Sequence, residues 1–228
     1  MTEAILRIND VYKKFWDGQN EVNVLHGISF TINQGDFVSI IGPSGSGKST
    51  LLTICGGLQE PSSGRIIFQN LDLYHQSKEA LTEFRQKYVG FVFQQMHLIP
   101  YLTALENIML PLIPQKIGKE EQLLRAKTVL NHVGLGDKGE RYPDQLSGGE
   151  QGRVAIARAI VTNPSLLLAD EPTGNLDSKT SKEIMDLFAA LNKEGQTILF
   201  ITHQLEFAAY GNRILEMKDG SIAEAIFQ

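Results

Sequence analysis

Three groups of residues in this chain carry chemistry by their types and spacing. Gly42-Pro43-Ser44-Gly45-Ser46-Gly47-Lys48-Ser49 fits the G-x-x-x-x-G-K-[ST] pattern of a phosphate-binding loop. Its glycines allow bends that turn backbone N–H groups inward as an anion nest, and the helix that follows adds its positive end. Lys48 is expected to reach the β- and γ-phosphates of a nucleotide and Ser49 to ligate Mg²⁺, with Thr50 completing the binding set. The second group, Asp170 and Glu171, follows the apolar run Leu166-Leu167-Leu168-Ala169. A carboxylate at the C-terminal end of a buried strand stands where open α/β sheets bind ligands. Asp170 is expected to hold Mg²⁺ directly or through water. Glu171 either polarises a water that attacks the γ-phosphate or is a solvent-facing turn residue. The third group is Leu146-Ser147-Gly148-Gly149-Glu150. Ser147 can cap a helix whose free N–H groups form a second anion site. Two readings stay open on the residues alone: an ordinary capped helix, or half of a site that a second copy, packed head to tail, completes around ATP.

These residues need particular elements to position them. Phe37-Val38-Ser39-Ile40-Ile41 is a nearly continuous apolar run, the pattern of an internal strand covered on both faces. The glycine loop follows at once, then a helix expected over 48–58, ended by Gln59-Glu60-Pro61 and a Ser-Ser-Gly turn. Strand patterns also occur at 5–8, 22–25 and 28–32, with a turn-rich Trp16-Asp17-Gly18-Gln19-Asn20 between the first two, and again at 65–68 and 89–93. Residues 96–145 change character: prolines at 100, 111, 114 and 143 divide them, and Leu123, Ala126 or Lys127, Leu130 and Val133 recur at helical spacing. This stretch reads as a mainly helical lobe, 96–145, inserted into an α/β core of 1–95 and 146–228, all within one domain of 1–228. The core resumes with a helix over 148–161, a strand at 166–169, and a helix over 179–191 that puts Ile184, Leu187, Phe188 and Leu191 on one side. A strand at 197–202 follows, then a hairpin pairing 213–217 with 221–224 across Lys218-Asp219-Gly220. Alternating strands and helices predict a largely parallel sheet.

Bulk properties narrow the function classes. Of 228 residues, 42% are hydrophobic and 21% charged, as in a folded globular chain. The net charge of −5 argues against a dedicated nucleic-acid binder, which would present a basic field. No run approaches the roughly 18 apolar residues of a membrane span, and Met1-Thr2-Glu3-Ala4-Ile5 does not begin a signal peptide, so a cytoplasmic compartment is expected. The single cysteine, Cys55, lies in an apolar stretch and is expected to be a small buried hydrophobe. His26, His75, His97 and His132 lack metal-ligand spacing.

The order of these motifs, over essentially the whole chain, resembles the ATP-binding subunits of ABC transporters. The resemblance implies an α/β fold: a P-loop NTPase core with a mostly parallel sheet, an N-terminal antiparallel β region and an inserted helical subdomain. It implies a Mg²⁺-dependent ATPase with Gly42 to Ser49 as Walker A and Leu166 to Glu171 as Walker B. Ser147, Gly148, Gly149 and Glu150 belong to the signature motif that completes a partner protomer's site. Gln94 matches the Q-loop glutamine that senses the γ-phosphate and Mg²⁺. Gly174-Asn175-Leu176-Asp177 resembles the D-loop at the dimer interface, where Asp177 can also cap a helix. His203 matches the switch histidine that contacts the γ-phosphate, and Phe15 the aromatic that stacks on adenine, although Tyr12 and Trp16 stand nearby. The implied partners are a second copy, in an ATP-sandwiched homodimer, and a transmembrane permease subunit that holds the chain at the cytoplasmic face of a membrane. Its docking groove is expected along 94–110, with Met96, Leu98, Ile99, Tyr101 and Leu102 as contacts or as lobe core.

One departure is visible. The family commonly reads Gln-Gln-Arg after the signature, and this chain has Gln151-Gly152-Arg153. A glycine early in a helix costs about 1 kcal/mol and is expected to remove a long polar side chain near the interface. Gly90-Phe-Val-Phe-Gln-Gln, Leu98-Ile-Pro, Leu102-Thr-Ala-Leu-Glu-Asn and Ala169-Asp-Glu-Pro-Thr-Gly-Asn-Leu-Asp are similar to the group serving MacB-like exporters and lipoprotein-release systems. Their cargo, whether macrolide, antimicrobial peptide, lipoprotein or haem, would not touch this subunit. The alternative class is a non-transport ATPase of DNA repair or chromosome maintenance. Such proteins carry coiled coils or DNA-binding additions, and this sequence has neither.

Overall fold

The computed structural model describes residues 3–16 and 18–224, so Met1, Thr2 and Asp17 of the expected turn lie outside the described residues. The elements run in chain order as β1 (Ala4–Trp16), β2 (Glu21–Asn33), β3 (Phe37–Ile41), α1 (Lys48–Cys55), β4 (Ser63–Phe68), β5 (Leu71–Asp72), α2 (Lys78–Tyr88), β6 (Val89–Phe93), α3 (Ala104–Met109), α4 (Lys119–His132), α5 (Gly148–Ile160), β7 (Leu166–Asp170), α6 (Ser178–Lys193), β8 (Thr197–Thr202), α7 (Leu205–Ala208), β9 (Arg213–Lys218) and β10 (Ser221–Glu224). The chain divides into two compact units. One holds the residues up to Arg85 and those from Asn192 onward, and the other is Gln86–Leu191.

In the first unit, β1 pairs antiparallel with β2 on one side and β4 on the other, and β5 extends the sheet from β4. Ile5, Leu6, Ile8 and Val11 of β1 and Leu25, Ile28, Phe30 and Ile32 of β2 are buried. The expected strands at 22–25 and 28–32 are one strand, because register shifts around Val11 absorb the break between them. A second group of strands centres on β3, which is parallel to β8 and β9, while β10 folds back antiparallel on β9. Every residue of β8 is buried, and Phe37 meets Phe200 edge-on at 6.2 Å between centroids.

Helix α1 ends at Cys55, earlier than its apolar spacing suggests. Gly57, at φ +71°, closes a Schellman cap in which Leu58 N–H donates to Thr53 O (2.9 Å) and Gly57 N–H to Ile54 O (3.1 Å). Helix α2 was not legible, since only Phe84 of its eleven residues is buried; that ring packs edge-on against Phe68 at 5.0 Å.

The second unit contains β6 and β7, paired in parallel. Helix α5 packs against β6 and also against α3 and α4, so the helical stretch shares its packing with the signature helix. Helix α3 opens on a capping box: Glu106 N–H donates to Thr103 Oγ1 (3.2 Å) and Thr103 N–H to Glu106 Oε2 (2.8 Å). Asn107, fully buried, accepts from Ile99 N–H (2.8 Å) and donates to Ile99 O (3.1 Å) and Leu102 O (3.0 Å), which pins the loop ahead of α3. On α6, the expected apolar side holds: Ile184, Leu187, Phe188 and Leu191 are all buried.

Candidate functional site

The phosphate-loop residues sit at the C-terminal edge of β3. Ile41 is in register with Thr202, so Gly42 and His203 leave their parallel strands at the same edge. Gly47 takes φ +101° at the N-cap of α1, a left-handed conformation that glycine adopts without a Cβ clash. The loop is held from behind. A Cβ on Gly47 would lie 2.9 Å from Leu25 Cδ2 and 3.0 Å from Val24 O, and one on Gly42 would overlap the Met217 carbonyl. Gly220 N–H donates to Ser46 O (3.2 Å), while Gly220 O accepts from His26 N–H (2.8 Å), which ties the β9–β10 turn to both the loop and β2.

Lys48 is 5% exposed, and its ammonium donates to Gly42 O (2.8 Å) and Pro43 O (2.9 Å). Ser46 is buried, and its hydroxyl has no hydrogen-bond partner among the described residues. A buried, unsatisfied hydroxyl suits a loop that closes on a polar ligand. Pro43, Ser44, Gly45, Ser49 and His203 are exposed, and Thr50 is half-buried. Phe15 lies near the end of β1, paired with Val22 and 39% exposed. Lys13 Nζ sits 5.0 Å over its ring and donates to Glu60 O (2.7 Å), so one ring face is already covered. Trp16 is 70% exposed, whereas the Tyr12 hydroxyl lies against Gly27.

The other candidates belong to the second unit. Phe93 is in register with Asp170, so Gln94 and Glu171 follow directly from paired strand ends. Glu171 takes φ +43°, a left-handed conformation uncommon for a side chain that is neither Gly nor Asn. Gly174 N–H donates to Glu171 O (2.9 Å) and closes the turn. A Cβ on Gly174 would lie 2.7 Å from Gln94 Nε2, and Asn175 Nδ2 donates to Gln94 O (3.4 Å). Gln94 is thereby enclosed by the segment that carries Asp177. Asp177 caps α6, accepting from Thr180 N–H (3.0 Å) and Thr180 Oγ1 (2.6 Å). Those two bonds, the hydroxyl's first, hold its carboxyl below the usual Asp range.

Ser147 caps α5 in a full capping box: Glu150 N–H donates to Ser147 Oγ (3.3 Å) and Ser147 N–H to Glu150 Oε2 (2.8 Å). The backbone bond from Ser147 is the main cause of a lowered Glu150 pKa. Ser147 and Gly148 are exposed. Gly149 faces Thr180 of α6 so closely that a Cβ would overlap the threonine methyl. The helix end is therefore both capped and open to solvent, and neither reading of the motif displaces the other.

Gly152 is not at a polar surface. It is buried, and a Cβ there would lie 3.3 Å from Ile184 Cδ1 and 3.4 Å from Met96 Cε. The glycine lets the Met96 methyl and Ile184 of α6 approach α5 closely. Along the expected groove, Tyr101 is 86% and Ile99 43% exposed, while Leu98 and Leu102 are half-buried. Sequence reasoning missed Arg158. Its two terminal nitrogens donate to His97 O and Met96 O, each at 2.6 Å, and burial lowers its pKa. Its signal was only a basic residue on an otherwise apolar helix face.

The donors assigned to Mg²⁺ are a serine hydroxyl, an amide oxygen and a carboxylate. This hard-oxygen set fits a cation that keeps waters and phosphate oxygens as its remaining ligands. Among the described residues no group of three or more His, Cys, Asp or Glu side chains forms a separate metal site.

The sequence model of the ABC transporter family matches residues 25–174. An uncharacterized ABC transporter ATP-binding protein, YknY of Bacillus subtilis (strain 168), is 48% identical over 97% of this chain and 96% of its own length. The lipoprotein-releasing system ATP-binding protein LolD of Aquifex aeolicus is 48% identical over 89% of this chain and 91% of its own. The macrolide export ATP-binding/permease protein MacB 1 of Yersinia pestis bv. Antiqua is 43% identical over 96% of this chain but only 34% of its own length. Among solved structures, the ATP-binding cassette MJ0796, seen as a dimer in a post-hydrolysis state bound to ADP and Pi, superposes with a TM-score of 0.88. It is 42% identical and is covered in full by 98% of this chain. These likenesses establish the α/β ABC ATPase fold, with its N-terminal antiparallel strands and inserted helical subdomain, and the chain belongs to the ABC transporter family.

Proposed function

We propose that this chain binds and hydrolyses ATP, dimerises head to tail on ATP, and powers an ABC transporter as a peripheral subunit at the cytoplasmic face of a membrane. The observation that carries the reading is the phosphate loop, with the left-handed Gly47, the unpartnered buried Ser46 hydroxyl and the Lys48 ammonium at the loop carbonyls. In this reading Gly42 to Gly47 direct backbone N–H groups at the phosphates, Lys48 neutralises the β- and γ-phosphates, and Phe15 stacks its uncovered face on adenine. Ser49, Asp170 and Gln94 would hold Mg²⁺, which would supply neutralisation of phosphate charge. Glu171 accepts the proton of the attacking water, and His203 donates to the γ-phosphate oxygens.

Ser147, Gly148, Gly149 and Glu150 serve the nucleotide of the second copy, and Asp177 lies at the interface between copies. The exposed, capped start of α5 supports this trans role, as does the solved dimer of a 42% identical cassette. Among the described residues no helix is long and apolar enough to cross a membrane, and in this reading a permease supplies the transmembrane part. The transporter we propose is of the MacB-like or lipoprotein-release type, because LolD and MacB both match across most of this chain. The domain division we propose is a helical subdomain at 96–145 within a core of 1–95 and 146–228.

The test uses Glu171→Gln with ATP and Mg²⁺. Hydrolysis should slow by at least tenfold while size-exclusion chromatography shows a dimer that ADP does not support. Used as bait on solubilised membranes, the same variant should retain a membrane protein with few spans and a large extracytoplasmic domain. Fully active monomers, or capture of a DNA-repair protein instead, would overturn the proposal.

A further inference from the structure

The signature helix and the segment after Gln94 are joined by contacts that the proposed chemistry does not use. Arg158 stands in the last turn of α5, at the opposite end from the signature residues. Its Nη1 donates to His97 O and its Nη2 to Met96 O, both at 2.6 Å. Among the described residues no carboxylate forms an ion pair with this guanidinium. A partly desolvated cation satisfied by two carbonyls costs free energy that an apolar residue would not. A helix that needed only packing here would not require an arginine.

The carbonyls it holds belong to a constrained segment. The His97 ring lies edge-on to Phe93 at 5.4 Å, and His97 itself takes φ +47°. Met96 Cε rests beside Gly152, at the start of the second turn of the same helix. On its other side, Gln94 is enclosed by Gly174 and Asn175. Asp177 then caps α6, whose Thr180 touches Gly149. These contacts close a ring: signature, α5, Arg158, Met96 and His97, Gln94, the Asp177 segment, α6, and the signature again.

We propose that Arg158 is a positioning residue for Gln94. By holding the Met96 and His97 carbonyls on α5, it ties the placement of the Gln94 amide to the placement of the signature helix. The inference rests on the reading of Gln94 as the residue that senses the γ-phosphate and Mg²⁺. Within that reading, a displacement of Gln94 and a displacement of Ser147 to Gly149 are parts of one motion, because a bidentate arginine fork tolerates little shear between its two carbonyls.

The experiment is a double-mutant cycle on steady-state ATPase activity of the purified chain with ATP and Mg²⁺, using Arg158→Ala and Gln94→Ala, alone and combined. Arg158→Ala should lower kcat by about tenfold with KM for ATP within about twofold. In the Gln94→Ala background it should change kcat by less than about twofold, because its effect passes through Gln94. A merely structural arginine would lower kcat by the same factor in both backgrounds, and that result overturns the proposal, as does an unchanged kcat in the single variant. If Gln94→Ala alone leaves kcat unchanged, the fault lies in the reading of Gln94, and the two failures are told apart. Should Arg158→Ala fail to fold, Arg158→Lys carries the same cycle. It keeps the charge and stem but loses the fork, so it should give a smaller fall in kcat that again disappears when Gln94 is alanine.

Discussion

At the scale of single residues, burial and hydrogen bonding set what each side chain can do. Lys48 is nearly inaccessible and already committed to two loop carbonyls, so its charge is local to the loop. Lys48→Ala should weaken ATP binding by on the order of 10- to 100-fold, the scale of a lost charge-assisted hydrogen bond, as read by calorimetry with ATP and Mg²⁺. Normal affinity and turnover would remove the phosphate-loop assignment. Cys55 illustrates the reverse case. Burial pushes its thiol up to about 12, so the thiolate is negligible at neutral pH. A disulfide reagent should find no fast-reacting thiol in the native chain and one after denaturation. That Cys55 is buried could be read from its apolar neighbours. That Lys48 is buried could not, because the loop carbonyls that accept its hydrogen bonds meet it only in the folded backbone.

At the scale of elements, the cap at Ser147 and the apolar side of α6 could be read from local spacing, whereas α2, with one buried residue, could not. Ser147 and Glu150 stand three apart, as Thr103 and Glu106 do, and both pairs form capping boxes. Thr103→Ala should destabilise the chain by about 1 kcal/mol in urea denaturation. The Glu150 carboxylate is lowered from its ordinary value of 4.5, chiefly by the backbone N–H of Ser147, with Lys138 3.6 Å away. A lowered folded-state pKa means the stabilisation is complete above pH 4.5 and is lost as pH falls through the folded-state value. Acid should therefore lower the thermal midpoint less in Glu150→Gln than in the parent chain, by a small amount because water still reaches the half-buried carboxylate. Equal acid sensitivity of the two would show that the cap does not titrate. Gly152 is an element-scale case that spacing alone did not describe. It is buried, with Ile184 of α6 and Met96 beside it. Gly152→Gln should destabilise by about 1–3 kcal/mol through overpacking against Ile184 and Met96, despite its better helix propensity. A raised urea midpoint would contradict that packing.

At the scale of the whole molecule, the proposed function asks one chain to do half of a task twice. The capped start of α5 is exposed, and in the proposed dimer it faces the nucleotide of a second copy. Ser147→Arg should abolish the ATP-dependent dimer in size-exclusion chromatography while the isolated chain binds ATP within about twofold of the parent. An undiminished dimer would return the motif to an ordinary helix cap. The strand runs, the glycine loop, the carboxylates at the end of an apolar strand and the helix cap at Ser147 were all legible in the sequence, because each depends on residues close together along the chain. What the sequence by itself determined was a phosphate-binding α/β chain with a second glycine motif opening a helix. Only the tertiary structure decided that Gly42 and His203 follow directly from one pair of parallel strands, and that Gln94 and Glu171 follow directly from another such pair. It also decided that Gly152 serves packing, and that Arg158 holds the segment after Gln94. The physical reason is distance along the chain: Arg158 meets carbonyls more than sixty residues away. Strand register and helix contact create such meetings, and no local periodicity encodes them.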